Sequence, residues 1–135
     1  MDALYAEAEW VVRRATELEE QAIREGSYPA ELEELLADPY LSLSRAGVAQ
    51  YWELGWKQAE GESAELSFRP RPGLRRDDSE VALEACLLAT STVDGEGSVM
   101  SESGIVHMTY FFKHVEGDLK LFTSTGEEVE KCPFE

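Results

Sequence analysis

An α+β fold is predicted, helices first and strands after, on three observations. Apolar residues recur at helical spacing over the first 55 or so positions. Period-two alternation takes over beyond them, and prolines and glycines punctuate the chain where elements should end. Helices grouped before strands lead to an antiparallel sheet laid over helices. The 135 residues, 43% of them hydrophobic, make one domain over 1–135 with enough apolar side chains to bury a core.

The first helix is predicted over residues 2–25. Leu4, Ala8, Val11, Ala15, Leu18 and Ala22 follow at alternating steps of four and three and draw one apolar stripe. Trp10, Val12 and Ile23 widen that stripe, while Glu7, Glu9, Arg13, Arg14, Glu17, Glu19 and Glu20 take the other side, and Gly26 is the stop. Pro29 suits the first turn of a short second helix, 30–37, carrying Leu32, Leu35 and Leu36. Asp38-Pro39 ends it, because the residue before a proline is pushed out of the α region. The same pair starts a third helix, 39–54, with Asp38 as cap and Pro39 in the first helical position.

Strands are predicted at about 55–61, 64–69, 80–92, 104–115 and 119–125. Leu66 and Phe68 share one face of the second, which Pro70, Pro72 and Gly73 terminate. Residues 93–103 are polar and glycine-containing and read as an exposed hairpin loop; Glu116-Gly117-Asp118 is a tight turn between the last two strands. The strand over 104–115 is apolar on both sides: Val106, Met108, Tyr110 and Phe112 share one, Ile105, Thr109 and Phe111 the other. A sheet buried on one side alternates apolar with polar. One side is therefore expected against the helices and the other against a partner surface.

Twelve Lys and Arg against 28 Asp and Glu give a net charge of −16, which argues against nucleic acid or an anionic membrane surface as partner. No run approaches the roughly 18 apolar residues of a membrane helix. No basic segment followed by an apolar stretch opens the chain, which fits either a cytosolic protein or one trimmed of a signal or anchor. Cys86 and Cys132 lack zinc-ligand spacing. They are either two unpaired thiols or one disulfide pinning the tail to a core strand. The second is adopted; it would contribute about 4 kcal/mol in the chain-entropy model and requires an oxidising compartment.

The layout resembles the nuclear transport factor 2-like superfamily, whose members pack three N-terminal helices on a strongly bent antiparallel sheet to form a cone. Within it the likeness is to secreted or lipid-anchored proteins of Gram-positive bacteria. The residues that carry it are the Gly55-Trp56 segment through Gly61, Cys86 in Leu83-Glu84-Ala85-Cys86, the hairpin Val115-Glu116-Gly117-Asp118-Leu119-Lys120-Leu121, and Cys132. Leu119 stands where that hairpin usually has tryptophan. The resemblance implies an extracytoplasmic domain with its signal or anchor upstream of Met1, and frequent dimerisation through the outer sheet face. It implies no activity, since the fold hosts isomerases, dehydratases, cyclases, transport adaptors and secretion-system parts.

Enzymes of this kind need an acid or base among aromatic side chains inside the cone, where an apolar wall shifts its pKa. His107 and Glu84, each mid-strand among apolar neighbours, are the weak candidates, and no spacing supplies a second group for a dyad. His107 and His114 are seven apart, hence on opposite faces of a strand, so no metal is expected; no phosphate-loop or other cofactor motif is present. Trp10, Tyr51, Trp52, Trp56, Tyr110 and Phe112 are the candidate pocket lining, with ordinary core packing as the competing role. Arg69, Arg71, Arg75 and Arg76 are a candidate patch for an acidic partner, or a solvated loop balancing Asp77, Asp78 and Glu80.

The function expected is a non-enzymatic extracytoplasmic module that binds a protein or a small hydrophobic ligand and is stabilised by Cys86–Cys132. A cytoplasmic location stays open. The alternatives are an isomerase- or cyclase-type enzyme using His107 or Glu84, and an envelope-facing scaffold domain of a secretion or conjugation apparatus.

Overall fold

A computed structural model describes residues 3–59, 61–62 and 64–134. Three helices come first: α1 (Ala3–Glu25), α2 (Ala30–Leu35) and α3 (Tyr40–Leu54). Seven strands follow: β1 (Lys57–Gln58), β2 (Glu65–Pro70), β3 (Val81–Ala89), β4 (Thr92–Val93), β5 (Val99–Ser101), β6 (Gly104–Val115) and β7 (Asp118–Val129). The main sheet is antiparallel in the order β2-β3-β6-β7, and β1-β4-β5 form a second, smaller one. This is an α+β fold with helices packed against antiparallel sheets, and no helix of the described residues is long and apolar enough to cross a membrane.

The stripe on α1 packs as its spacing requires: Ala8, Val11, Ala15, Leu18 and Ala22 are buried with Val12. They join the inner sheet face, where Val81, Leu83, Ala85, Tyr110, Phe112 and Leu121 complete the core. Trp10 departs from expectation. It lies two positions from both Ala8 and Val12, on the far side of the helix, and is 54% exposed. Gly26, at φ +76°, closes α1 by donating to the Ala22 carbonyl at 2.9 Å.

The second helix stops two residues short of the predicted end. Leu36 is extended, forming a parallel bridge to Leu121, and the Ala37 N–H donates to the Leu121 carbonyl at 2.9 Å. Pairing with the sheet edge satisfies these groups better than another half-turn of helix could. Pro39, the predicted first helical residue, occupies the N-cap position of α3, which begins one residue later at Tyr40. Asp38 still serves that helix end, its Oδ1 accepting from the Ser42 N–H at 3.0 Å and the Ser42 hydroxyl at 2.6 Å. The predicted start of α1 at Asp2 lies outside the described residues.

The strand predicted at 80–92 is two strands. It pairs in the main sheet to Ala89 and resumes at Thr92 in the small one, where the Ser91 N–H turns to the Glu62 carboxylate at 2.9 Å. The strand predicted at 55–61 contracts to Lys57–Gln58, because Gly55 (φ +70°) is spent closing α3; Glu60 lies outside the described residues. Residues 93–103 are a folded hairpin in place of the expected loop. Asp94 Oδ1 accepts from the N–H groups of Glu96 and Ser98, and β5 returns along β4.

The β6–β7 turn has positive φ at Glu116 and Gly117, the geometry of a tight two-residue hairpin. Beyond it β7 runs to Val129, past the predicted 125, paired with β6 along its length. A bulge opposite Phe111/Phe112 gives β7 an extra residue, Phe122. Leu121 thereby faces the helices, while Phe122 joins Ala82 and Phe111 in a small cluster on the outer face under Ala37 and Leu74.

That cluster explains the doubly apolar strand from within the chain. The second face of β6 is covered by the chain's own loop at one end and its own tail at the other. Cys86 and Cys132 form a disulfide, Cα–Cα 5.9 Å, so the tail crosses back over the outer face, and the Arg69 guanidinium stacks 4.9 Å from the Phe134 ring.

Candidate functional site

Between α1, α3 and the inner sheet face the core gives way to an open cleft of two lobes, about 330 and 320 Å3, which share Glu19, Ile23, Tyr40 and Tyr51. These volumes sit at the small end of the roughly 300–1,000 Å3 found for small-molecule sites. The first lobe opens beside Gly47 and Thr123; the second reaches β1, β3, β4 and β6, with Met108 and Tyr110 as its floor.

Glu19 sits at the junction. It lies on α1 in register with Val12, Thr16 and Ile23, the flank of the apolar stripe, so its carboxylate is carried toward α3 and away from bulk water. Its Oε2 accepts from the Ser44 hydroxyl at 2.8 Å, and Ser44 Oγ accepts from the Tyr28 hydroxyl at 2.8 Å. Burial raises the carboxyl to about 7, the Ser44 hydrogen bond opposing it and the neighbouring Glu20 charge adding to it. Burial likewise raises Tyr28, Tyr40 and Tyr110, with the Glu19 charge contributing to each, so all three stay neutral phenols near neutral pH. The result is one carboxyl that changes charge near pH 7, held in a wall of apolar and phenolic groups. Such a group can hold a ligand's polar end or exchange a proton with it.

Glu84 and His107 lie elsewhere. Both are on the outer face, opposite the helices, which corrects the expectation that one of them stands inside the cone. Glu84 is 2% exposed, and its oxygens are fully engaged. Oε1 accepts from Arg69 Nε at 2.8 Å and Nη2 at 2.5 Å, with Arg71 Nη1 at 3.4 Å, while Oε2 meets His107 Nε2 at 2.5 Å. His107 Nδ1 is 3.8 Å from Glu127. Desolvation pushes the Glu84 carboxyl up, but His107 and Arg69 outweigh it and hold it below its ordinary value. This chain of charges ties β2, β3, β6 and β7 together under the tail. A carboxylate so saturated stabilises the sheet and is poorly placed for proton transfer.

The arginines are absorbed by the same network. Arg69 and Arg71 serve Glu84, and Arg75 Nη1 donates to the Ser79 carbonyl at 2.9 Å. Of the four, Arg76 alone keeps its guanidinium clear of such contacts among the described residues, so they do not form an open patch. Asp78 and Glu80 pair instead with Lys113 and His114.

The six aromatics split as well. Tyr51 and Tyr110 line the cleft, and Trp56 meets Tyr51 edge-on with ring centres 6.3 Å apart. Phe112 is core, and Trp52 uses its indole N–H on the Ala22 carbonyl at 3.0 Å, which caps the end of α1. Among the described residues no group of three or more His, Cys, Asp or Glu is placed to hold a metal ion.

No family model matches the chain, and no curated protein matches it. A solved structure does: the crystal structure of the intermembrane space region of the chloroplast protein ARC6 superposes with a TM-score of 0.69, covering 96% of this chain and 98% of that one at 16% identity. At that identity the likeness is one of fold.

Proposed function

We propose that the chain is an extracytoplasmic, non-enzymatic ligand-binding module of the nuclear transport factor 2-like superfamily, with its site in the Glu19 cleft. The observation that carries the reading is the asymmetry of the sheet. The outer face is crossed by the tail and the disulfide, and its buried carboxylate is tied up in the Glu84 network, whereas the inner face opens on a cavity with a poised carboxyl. The disulfide supports a compartment where thiols oxidise. Three helices ahead of an antiparallel sheet support the superfamily. The test is a fragment screen read by amide NMR shifts. Shifts at Tyr40, Tyr51, Thr92 and Tyr110 support the reading; binders that shift only outer-face residues, or a library with no binder, overturn it.

A second reading is favoured by the Glu19 carboxyl alone: an acid–base enzyme on the same cleft, with Glu19 in the role first assigned to His107 or Glu84. A carboxyl near pH 7 inside an apolar wall is suited to general acid–base work. Turnover of a carbonyl substrate with a pH–rate limb near 7, lost in Glu19→Gln, would establish it; binding without turnover returns the first reading.

A further inference from the structure

The cleft has a definite charge character. Two of its lining residues are acidic, Glu19 and Glu20; three are aromatic, Tyr40, Tyr51 and Tyr110; and among the described residues neither lobe is lined by Lys, Arg or His. Ser44 engages only Oε2 of Glu19, so Oε1 makes no hydrogen bond among the described residues. Tyr110, 3% exposed, lines the second lobe with a hydroxyl that has no partner among them either. Among the described residues no fully buried polar side-chain atom lacks a partner, so both oxygens border the open space of the cleft. Glu20 is already engaged by Gln58 Nε2 at 3.0 Å.

We propose that the ligand of this cleft is a small ammonium cation with an apolar body, its N–H groups donating to Glu19 Oε1 and the Tyr110 hydroxyl and its charge set against the tyrosine rings. The proposal rests on the cleft being a binding site and narrows it to a ligand class. An anion would meet two carboxylates and no compensating cation, at a cost that burial magnifies. A neutral ligand would fill the apolar space but leave the acidic lining unused. A cation satisfies both, through a charge-assisted hydrogen bond and attraction to aromatic faces. The net charge of −16 also favours its approach.

Binding then couples to a proton. When Glu19 is protonated, the ammonium replaces that proton on the carboxyl, one cation entering as one H+ leaves to solvent. The other groups facing Glu19 are Glu20 on its own helix, Tyr28 and Ser44 beside it, Tyr40 from α3 and Tyr110 from β6. Arg45 stacks on the Tyr28 ring at 5.4 Å and is paired with Glu33. An alkylammonium stays charged below about pH 10. Affinity should therefore rise with pH until the Glu19 proton is gone, about tenfold between pH 6 and pH 8.

The test uses three probes of one shape, cyclohexylammonium, cyclohexanol and cyclohexanecarboxylate, titrated by NMR and calorimetry into the wild type and Glu19→Gln at pH 6 and 8. The expected result is that cyclohexylammonium shifts Tyr40, Tyr51 and Tyr110 and binds about tenfold more tightly at pH 8. It should release a proton at pH 6 and lose tenfold or more in Glu19→Gln, while the carboxylate does not bind. Cyclohexanol binding the cleft as tightly as the ammonium, or an ammonium affinity unchanged in Glu19→Gln, overturns the ligand class and leaves the binding module standing. No cleft shift from any probe overturns both.

Discussion

Replacing Glu19 by glutamine keeps the shape and the oxygen that Ser44 donates to, and removes only the ionisation. In the folded chain the carboxyl titrates at about 7 against an ordinary value of 4.5, because burial penalises the charge. A gap of about 2.5 pH units at about 1.4 kcal/mol per unit makes about 3.5 kcal/mol, of which the cleft's solvent beside the carboxylate leaves about 2–3. The folded state binds the proton more tightly, so the favourable contribution is complete below pH 4.5 and lost as pH rises through 7. Wild type and Glu19→Gln should thus be nearly equal in stability at pH 4.5. The variant should pull ahead by about 2–3 kcal/mol at pH 8, a large part of the roughly 5–15 kcal/mol of a typical domain. Urea melts of both proteins at pH 4.5, 6, 7 and 8, disulfide intact, read the difference directly, since every other titrating group cancels. Parallel curves, or a gap that opens as pH falls, would refute the reasoning.

Cys132→Ser opens a loop of 46 residues and should cost about 4 kcal/mol in chain entropy, read as a drop in urea midpoint that dithiothreitol reproduces in the wild type. Glu84→Gln leaves Arg69 and His107 facing a neutral group beneath the tail. A loss of about 1–3 kcal/mol is expected at pH 7, the figure kept low because Arg69 is half exposed. Since the Glu84 carboxyl is held below its ordinary value, that loss should shrink as pH falls into and below the carboxylate range; a loss that grows there contradicts the network. Gly47 is a helical glycine with nothing within 4 Å of an added Cβ, so Gly47→Ala should raise stability by about 0.5–1 kcal/mol in the same melts.

Much of the fold was legible because its signals are local. The α1 stripe, the proline and glycine stops and the hairpin at Glu116-Gly117 each depend on a few neighbouring residues. What was not legible depends on distant pairing. Leu36 leaves its helix because Leu121 offers a backbone partner, and Phe122 reaches the outer face because a bulge slips the register by one. Parity put Glu84 with Cys86 and His107 with Phe111 correctly, yet parity cannot say which side faces the helices. The site itself was missed. Glu19 is one of many acids on α1, and its pattern differs from the solvated ones only in sharing the flank of Val12, Thr16 and Ile23. A carboxylate in step with apolar residues at i−7 and i+4 was the available signal.

The strap across the outer face and the proposed oxidising location both rest on a single S–S bond. Alkylation of the protein as it leaves its natural source, denatured so that the buried Cys86 and Cys132 are reachable, tests that bond by intact mass. No adduct before reduction and two after it is the predicted result; two adducts without reductant would contradict the account.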